Sequence, residues 1–190
     1  MRPLSLLSAL LCVALAGCGS SGDGGGGRDG GGGVKPDTET FAEGGFEITF
    51  DYPAEMQLRE DVSLKQSAGA EADATVALAF DEDDAIVVQR FDLNVEVTED
   101  NVDDAKAELD GVISQLDPDA GSGEDLSLEG FEAFEYDLEP EAPPGARSRY
   151  VVLFAGDTEY VINCQATKER REDIAGACRT ALETVRPAGG

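Results

Sequence analysis

The chain has 190 residues, 40 of them acidic and 14 basic, for a formal net charge of −26. A surface of that sign repels nucleic acid and anionic headgroups, so neither is expected as a direct partner. Histidine and tryptophan are both absent, which removes the commonest general base and metal ligand and excludes any Ser-His-Asp or Cys-His arrangement.

In chain order the first feature is a leader. Met1-Arg2 carries a positive charge ahead of a mostly apolar run from Leu4 to Ala16. The run falls short of the about 20 apolar residues needed to span a bilayer, and suits the core of a secretory signal. It closes on Leu15-Ala16-Gly17-Cys18, a tetrad that resembles the lipobox of bacterial lipoproteins. That resemblance implies cleavage before Cys18, a diacylglycerol thioether on its sulfur, and acylation (palmitate, for example) of the new N-terminus. Ordinary secretory cleavage at the small residues Ala16 and Gly17 is the alternative. Residues 1–17 are thus read as a leader, 18–40 as the lipid attachment and a tether, and 41–187 as a single domain.

The tether is rich in glycine from Gly19 to Gly33, interrupted by Arg28-Asp29. As a disordered coil, the stretch from Cys18 to Asp37 would hold the domain on the order of 25 Å from the bilayer. That exceeds a Debye length of about 8 Å, so an acidic body can sit clear of an anionic surface.

The domain is expected to begin near Phe41. Phe46-Glu47-Ile48-Thr49-Phe50 alternates with the period of a half-buried strand, and Asp51-Tyr52-Pro53 is expected to stop it. Ala74 to Phe80 and Ala85 to Val97 read as a hairpin with the acidic tip Asp81-Glu82-Asp83-Asp84. A helix is predicted from about Asn101 to Leu116, with Val102, Ala105, Leu109, Val112, Ile113 and Leu116 on one face and Thr98 or Asn101 as cap. Asp117-Pro118 ends it, and Asp119 to Glu124 is a loop. Leu126 to Leu128 and a turn at Glu129-Gly130 lead to a strand from Phe131 to Leu138. After a proline-rich loop, Arg147 to Ala155 and Thr158 to Ala166 read as two strands turned at Gly156-Asp157. A last helix is predicted from about Lys168 to Val185, capped by Thr167, with Ile174, Cys178, Ala181, Leu182 and Val185 as its stripe. The order gives an α+β fold, an antiparallel sheet sandwiched with two main helices.

This order resembles the PsbP-like family, which takes in the LpqN-like lipoproteins of actinobacteria. The matching phrases are the aromatic strand running into Tyr52-Pro53, the strand start Gly130-Phe131-Glu132-Ala133, and the strand pair with closing helix from Tyr150 to Val185. The family commonly places a tryptophan soon after the Tyr-Pro, where this chain has Ala54-Glu55-Met56. The resemblance implies an antiparallel sheet between helices, and no family-wide catalytic activity or cofactor.

Four cysteines divide by role. Cys12 falls in the leader, and Cys18 is the lipid site. Cys164 shares a strand face with Tyr160 and Ile162, while Cys178 lies on the helix stripe, so both sulfurs point into one layer. A disulfide is expected, closing a loop of about 15 residues for roughly 3 kcal/mol. A redox-active pair would need an accessible, low-pKa thiolate, and these positions are apolar.

Asp81 to Asp84 and Asp117-x-Asp119 are the densest oxygen-ligand runs. Four adjacent acids cannot converge on one ion, and the second run has Gly121 and Leu128 where a calcium loop needs other residues, so no metal site is assigned. Arg147-Ser148-Arg149 and Lys168 to Arg171 are the basic clusters; they could serve an anionic ligand, or simply neutralise nearby acids. No catalytic residue and no cofactor is assigned. The expected function is a non-enzymatic binding module, monomeric, anchored through its N-terminal lipid to the extracytoplasmic face of the cell membrane, with an envelope protein as partner. The alternative is a carrier or sensor of small molecules or cations that uses a pocket between sheet and helix.

Overall fold

The computed structural model describes residues 37–60, 72–140 and 144–189. The leader, Cys18, the glycine tether and part of the proline-rich loop lie outside them. The elements are β1 (Thr38–Phe41), β2 (Ile48–Pro53), β3 (Gln57–Arg59), β4 (Ala74–Ala79), β5 (Ala85–Val97), α1 (Val102–Leu116), β6 (Glu124–Asp125), β7 (Glu132–Leu138), β8 (Arg147–Ala166), α2 (Arg171–Thr184) and β9 (Arg186–Pro187). Strands pair antiparallel, in a six-stranded sheet ordered β3-β4-β5-β8-β7-β6 and a three-stranded sheet ordered β1-β2-β9. Helix α1 covers one face of the larger sheet; α2 and the smaller sheet cover the other. The α+β arrangement of antiparallel strands between two helices is the fold observed.

Covering both faces explains why the central strands are apolar in continuous runs. On β5, Ile86 and Val88 join Ile162 and Cys164 of β8 against the α2 stripe Ile174, Ala177, Cys178, Ala181 and Leu182. Phe91 and Val161 point the other way, and pack with Phe134, Tyr136 and Val152 against Ala105, Leu109 and Ile113 of α1. The small sheet closes the first core with aromatic rings. Phe41 stacks on Phe50 at 4.6 Å between centroids and meets Phe46 edge-on at 5.4 Å. Thr184 Oγ1, donating to Thr180 O at 2.7 Å, accepts the Asp51 amide at 2.8 Å and so ties β2 to the end of α2.

The largest correction concerns β8. In place of two strands turned at Gly156-Asp157, one strand of 20 residues runs through that point. Ser148 to Phe154 pair with β7 on one side, and Thr158 to Gln165 pair with β5 on the other. With each half committed to a different neighbour, the halves cannot pair with each other. The register shifts between Asp92 and Val97, so the bulge lies in β5, and Gly156, at φ +64°, bends β8 opposite it. A Gly-Asp step between apolar runs serves a bulged bend as well as a hairpin turn.

Smaller differences have local causes. Strand β2 continues through Pro53, because β9 pairs only with Ile48 and Thr49; at Pro53 only β1 flanks the strand, and a missing N–H is tolerated. Neither helix has the expected side-chain cap. Asn101 instead accepts the Thr98 amide at 2.7 Å and donates to Glu96 O at 2.9 Å, bracing the turn from β5 into α1. The second helix begins at Arg171 rather than Lys168, and Thr167 is engaged elsewhere.

Candidate functional site

Each group singled out in the sequence has a definite place. Cys164 and Cys178 form a disulfide with their Cα atoms 6.0 Å apart, joining β8 to α2. Both are buried in the first core and border an open cleft beside α2.

The acidic hairpin tip is a structural joint. Asp81 Oδ1 accepts the amides of Asp83 and Asp84, each at 3.0 Å, which sets the turn. Asp84, only 3% exposed, accepts the Thr167 amide at 2.6 Å and the Thr167 hydroxyl at 3.0 Å. The tip is thereby latched to the β8–α2 junction, and Arg170 reaches Asp81 at 3.4 Å from the same junction. Burial raises the Asp84 pKa; Thr167's two bonds act against that rise, and Asp81 adds to it. Among the described residues no group of three or more His, Cys, Asp or Glu side chains could hold a metal ion.

A second joint fixes α1 to the sheet. Asp110 accepts from the Ser122 hydroxyl at 2.5 Å, the Gly123 amide at 2.9 Å and the Tyr136 hydroxyl at 3.0 Å. Burial alone would raise its pKa, but these donors, with Lys106 nearby, hold it below the usual carboxylate range. Gly123 is dictated by packing, since a Cβ there would stand 2.4 Å from the Tyr136 ring.

Glu159 was not singled out by sequence reasoning. It sits on β8 opposite Phe91, on the α1 side, with 0% exposure, and neither carboxylate oxygen has a hydrogen-bond partner. Burial pushes its pKa up to about 8. The buried Asn163, four pairs further along the strand, likewise leaves its Oδ1 unpartnered. The available signal was an acid directly ahead of the apolar run Tyr160 to Ile162.

The basic clusters meet at the edge of α2. That helix packs on β8, β5 and β2, leaving the β7 end of the same sheet face open beside it. Two clefts flank the helix there and share Arg149. One, of about 650 Å³, lies by Leu126, Leu128, Arg179, Leu182, Val185 and Arg186. The other, of about 320 Å³, lies by Arg147, Arg171, Ile174 and Asp137. Five arginines therefore gather on a molecule of net charge −26.

Their partners differ. Arg149 is held by Glu135 in a two-pronged pair at 2.6 and 2.5 Å, and Arg147 pairs with exposed Glu139 at 2.5 Å. Among the described residues Arg171 and Arg186 bond only to carbonyl oxygens, of Gly145 at 3.2 Å and Thr184 at 2.9 Å. Arg179 has neither an ion pair nor a hydrogen bond among the described residues. Acids stand at the same clefts, Glu129 and Glu183 at the larger and Asp137 at the smaller. Sequence reasoning marked Arg147, Arg149 and Arg171 but missed Arg179 and Arg186. Arg179, about two turns after Arg171 on α2, had a readable spacing; Arg186, beyond the helix in β9, had none.

No family model and no curated protein matches this chain. Among solved structures, that of cyanobacterial PsbP (CyanoP) from Synechocystis sp. PCC 6803 is similar, at a TM-score of 0.53 and 12% identity. The match covers 85% of this chain and 98% of that one. A likeness at that identity is one of architecture: the chain has a PsbP-like α+β fold.

Proposed function

We propose that the protein is a lipid-anchored domain on the extracytoplasmic face of the cell membrane, and that it works by binding rather than by catalysis. The observation that carries the location is the buried Cys164–Cys178 bridge, because structural disulfides persist in oxidising compartments and are rare in the cytosol. It agrees with a leader that ends at Cys18. Support for a binding role comes from the titratable groups. Asp110, Tyr136 and Glu159 share the α1 side and Asp84 lies at the hairpin tip, and none of them lines either cleft beside α2, where acid–base machinery would have to meet a substrate.

The partner of first choice is an envelope protein, met through polar contacts. Leu58 is the only large hydrophobic side chain exposed among the described residues, so an extensive apolar docking face is lacking there. A second reading, a small-molecule carrier or sensor, is favoured by the open cleft of about 650 Å³ beside α2, which has the size of a ligand site. Native mass spectrometry of the full protein purified from its own membranes tests both. A bound subunit supports the first reading and a bound small mass the second; a bare monomer from gently solubilised membranes contradicts a binding role.

A further inference from the structure

We infer that the larger cleft beside α2 is a binding site for a small soluble organic anion, a carboxylate or phosphate ester carrying an apolar body. The inference rests on the small-molecule reading above and names its ligand class. Arg179 and Arg186 offer the charge. Among the described residues neither is paired with a carboxylate, and a guanidinium presents a planar fork that matches a carboxylate or phosphate with two parallel bonds. Arg149, fixed by its two bonds to Glu135, supplies a rigid third wall. Leu126, Leu128, Leu182 and Val185 give the same cleft an apolar side. The combination suits a ligand with one charged end and one greasy end.

Size and field select against larger anions. A cleft of about 650 Å³ admits a compact organic molecule. The molecule as a whole carries −26, so a polyanion or an anionic bilayer is repelled as it approaches, while a small anion needs only the guanidiniums of Arg179 and Arg186 that line the cleft. Glu129 and Glu183 at the rim sharpen this, since they disfavour a ligand with charge at both ends.

The test uses the full mature protein in a neutral detergent and titration calorimetry with two ligands of one shape, 4-tert-butylbenzoate and its neutral twin 4-tert-butylbenzamide. The benzoate is expected to bind about tenfold more tightly or better, the scale of one charge-assisted hydrogen bond. Arg179→Gln should abolish most of that preference, Arg179→Lys should keep part of it, and Arg59→Gln, on the distant strand β3, should leave it intact. Arg179 is exposed, so the variants should fold, and their melting curves check it. Equal binding of benzoate and benzamide, or a preference that survives Arg179→Gln, overturns the anion site while leaving a small-molecule role standing. No binding of either ligand overturns both.

Discussion

Glu159 is held in the fold as an acid rather than a carboxylate. Its pKa stands at about 8 against 4.5 for the free side chain, with burial as the cause. For an acid shifted upward, the fold is unpenalised while the group is protonated in both states, below about pH 4.5. As pH rises, the unfolded chain ionises first, so stability falls between about pH 4.5 and 8 and then levels. Glu159→Gln removes this slope: the variant should match the wild type in urea midpoint at pH 4 and exceed it at pH 9. An equal difference at both pH values would show that the substitution acts through packing instead. Asp110 has the opposite sign, since its lowered pKa adds stability that is lost on acidification. None of this could be read from single positions. Glu159 is one of 40 acids, and what distinguishes it is the helix above it.

At the scale of elements, the sequence pattern was informative where an element keeps its partners along its length. The β4–β5 hairpin, α1 and the stripe of α2 follow from apolar runs and helical spacing. The failure at β8 came from a strand whose two halves pair with different neighbours, and whose bend at Gly156 has the same composition as a turn. Strands β6 and β9, of two residues each, carry no periodic signal at all. The Cys164–Cys178 pairing was legible because both faces were; the bridge joins residues 14 apart. Replacing both cysteines by serine should cost roughly 3 kcal/mol, seen as a lower urea midpoint. A loss under 1 kcal/mol would mean that the contact of α2 with β8 is held by packing alone. The arginine clefts were half legible. Arg147, Arg149 and Arg171 stood in basic clusters, but their convergence with Arg179 and Arg186 depends on α2 leaving the β7 end of the sheet open.

For the whole molecule, fold and charge serve separate ends. The antiparallel sheet between α1 and α2 gives a filled core on each face, bridged by a disulfide that needs an oxidising compartment. The acidic exterior repels an anionic bilayer, which suits the proposed attachment through a glycine-rich segment. At the edge of α2 five arginines gather, and there the proposed ligand binds. The proposed anchor would tie these features to one place in the cell. Mass spectrometry of the N-terminal peptide of the membrane-purified protein tests it most directly. The account predicts a peptide that begins at Cys18 and carries a diacylglycerol thioether; an unmodified Cys18, or a mature chain that begins elsewhere, would contradict it.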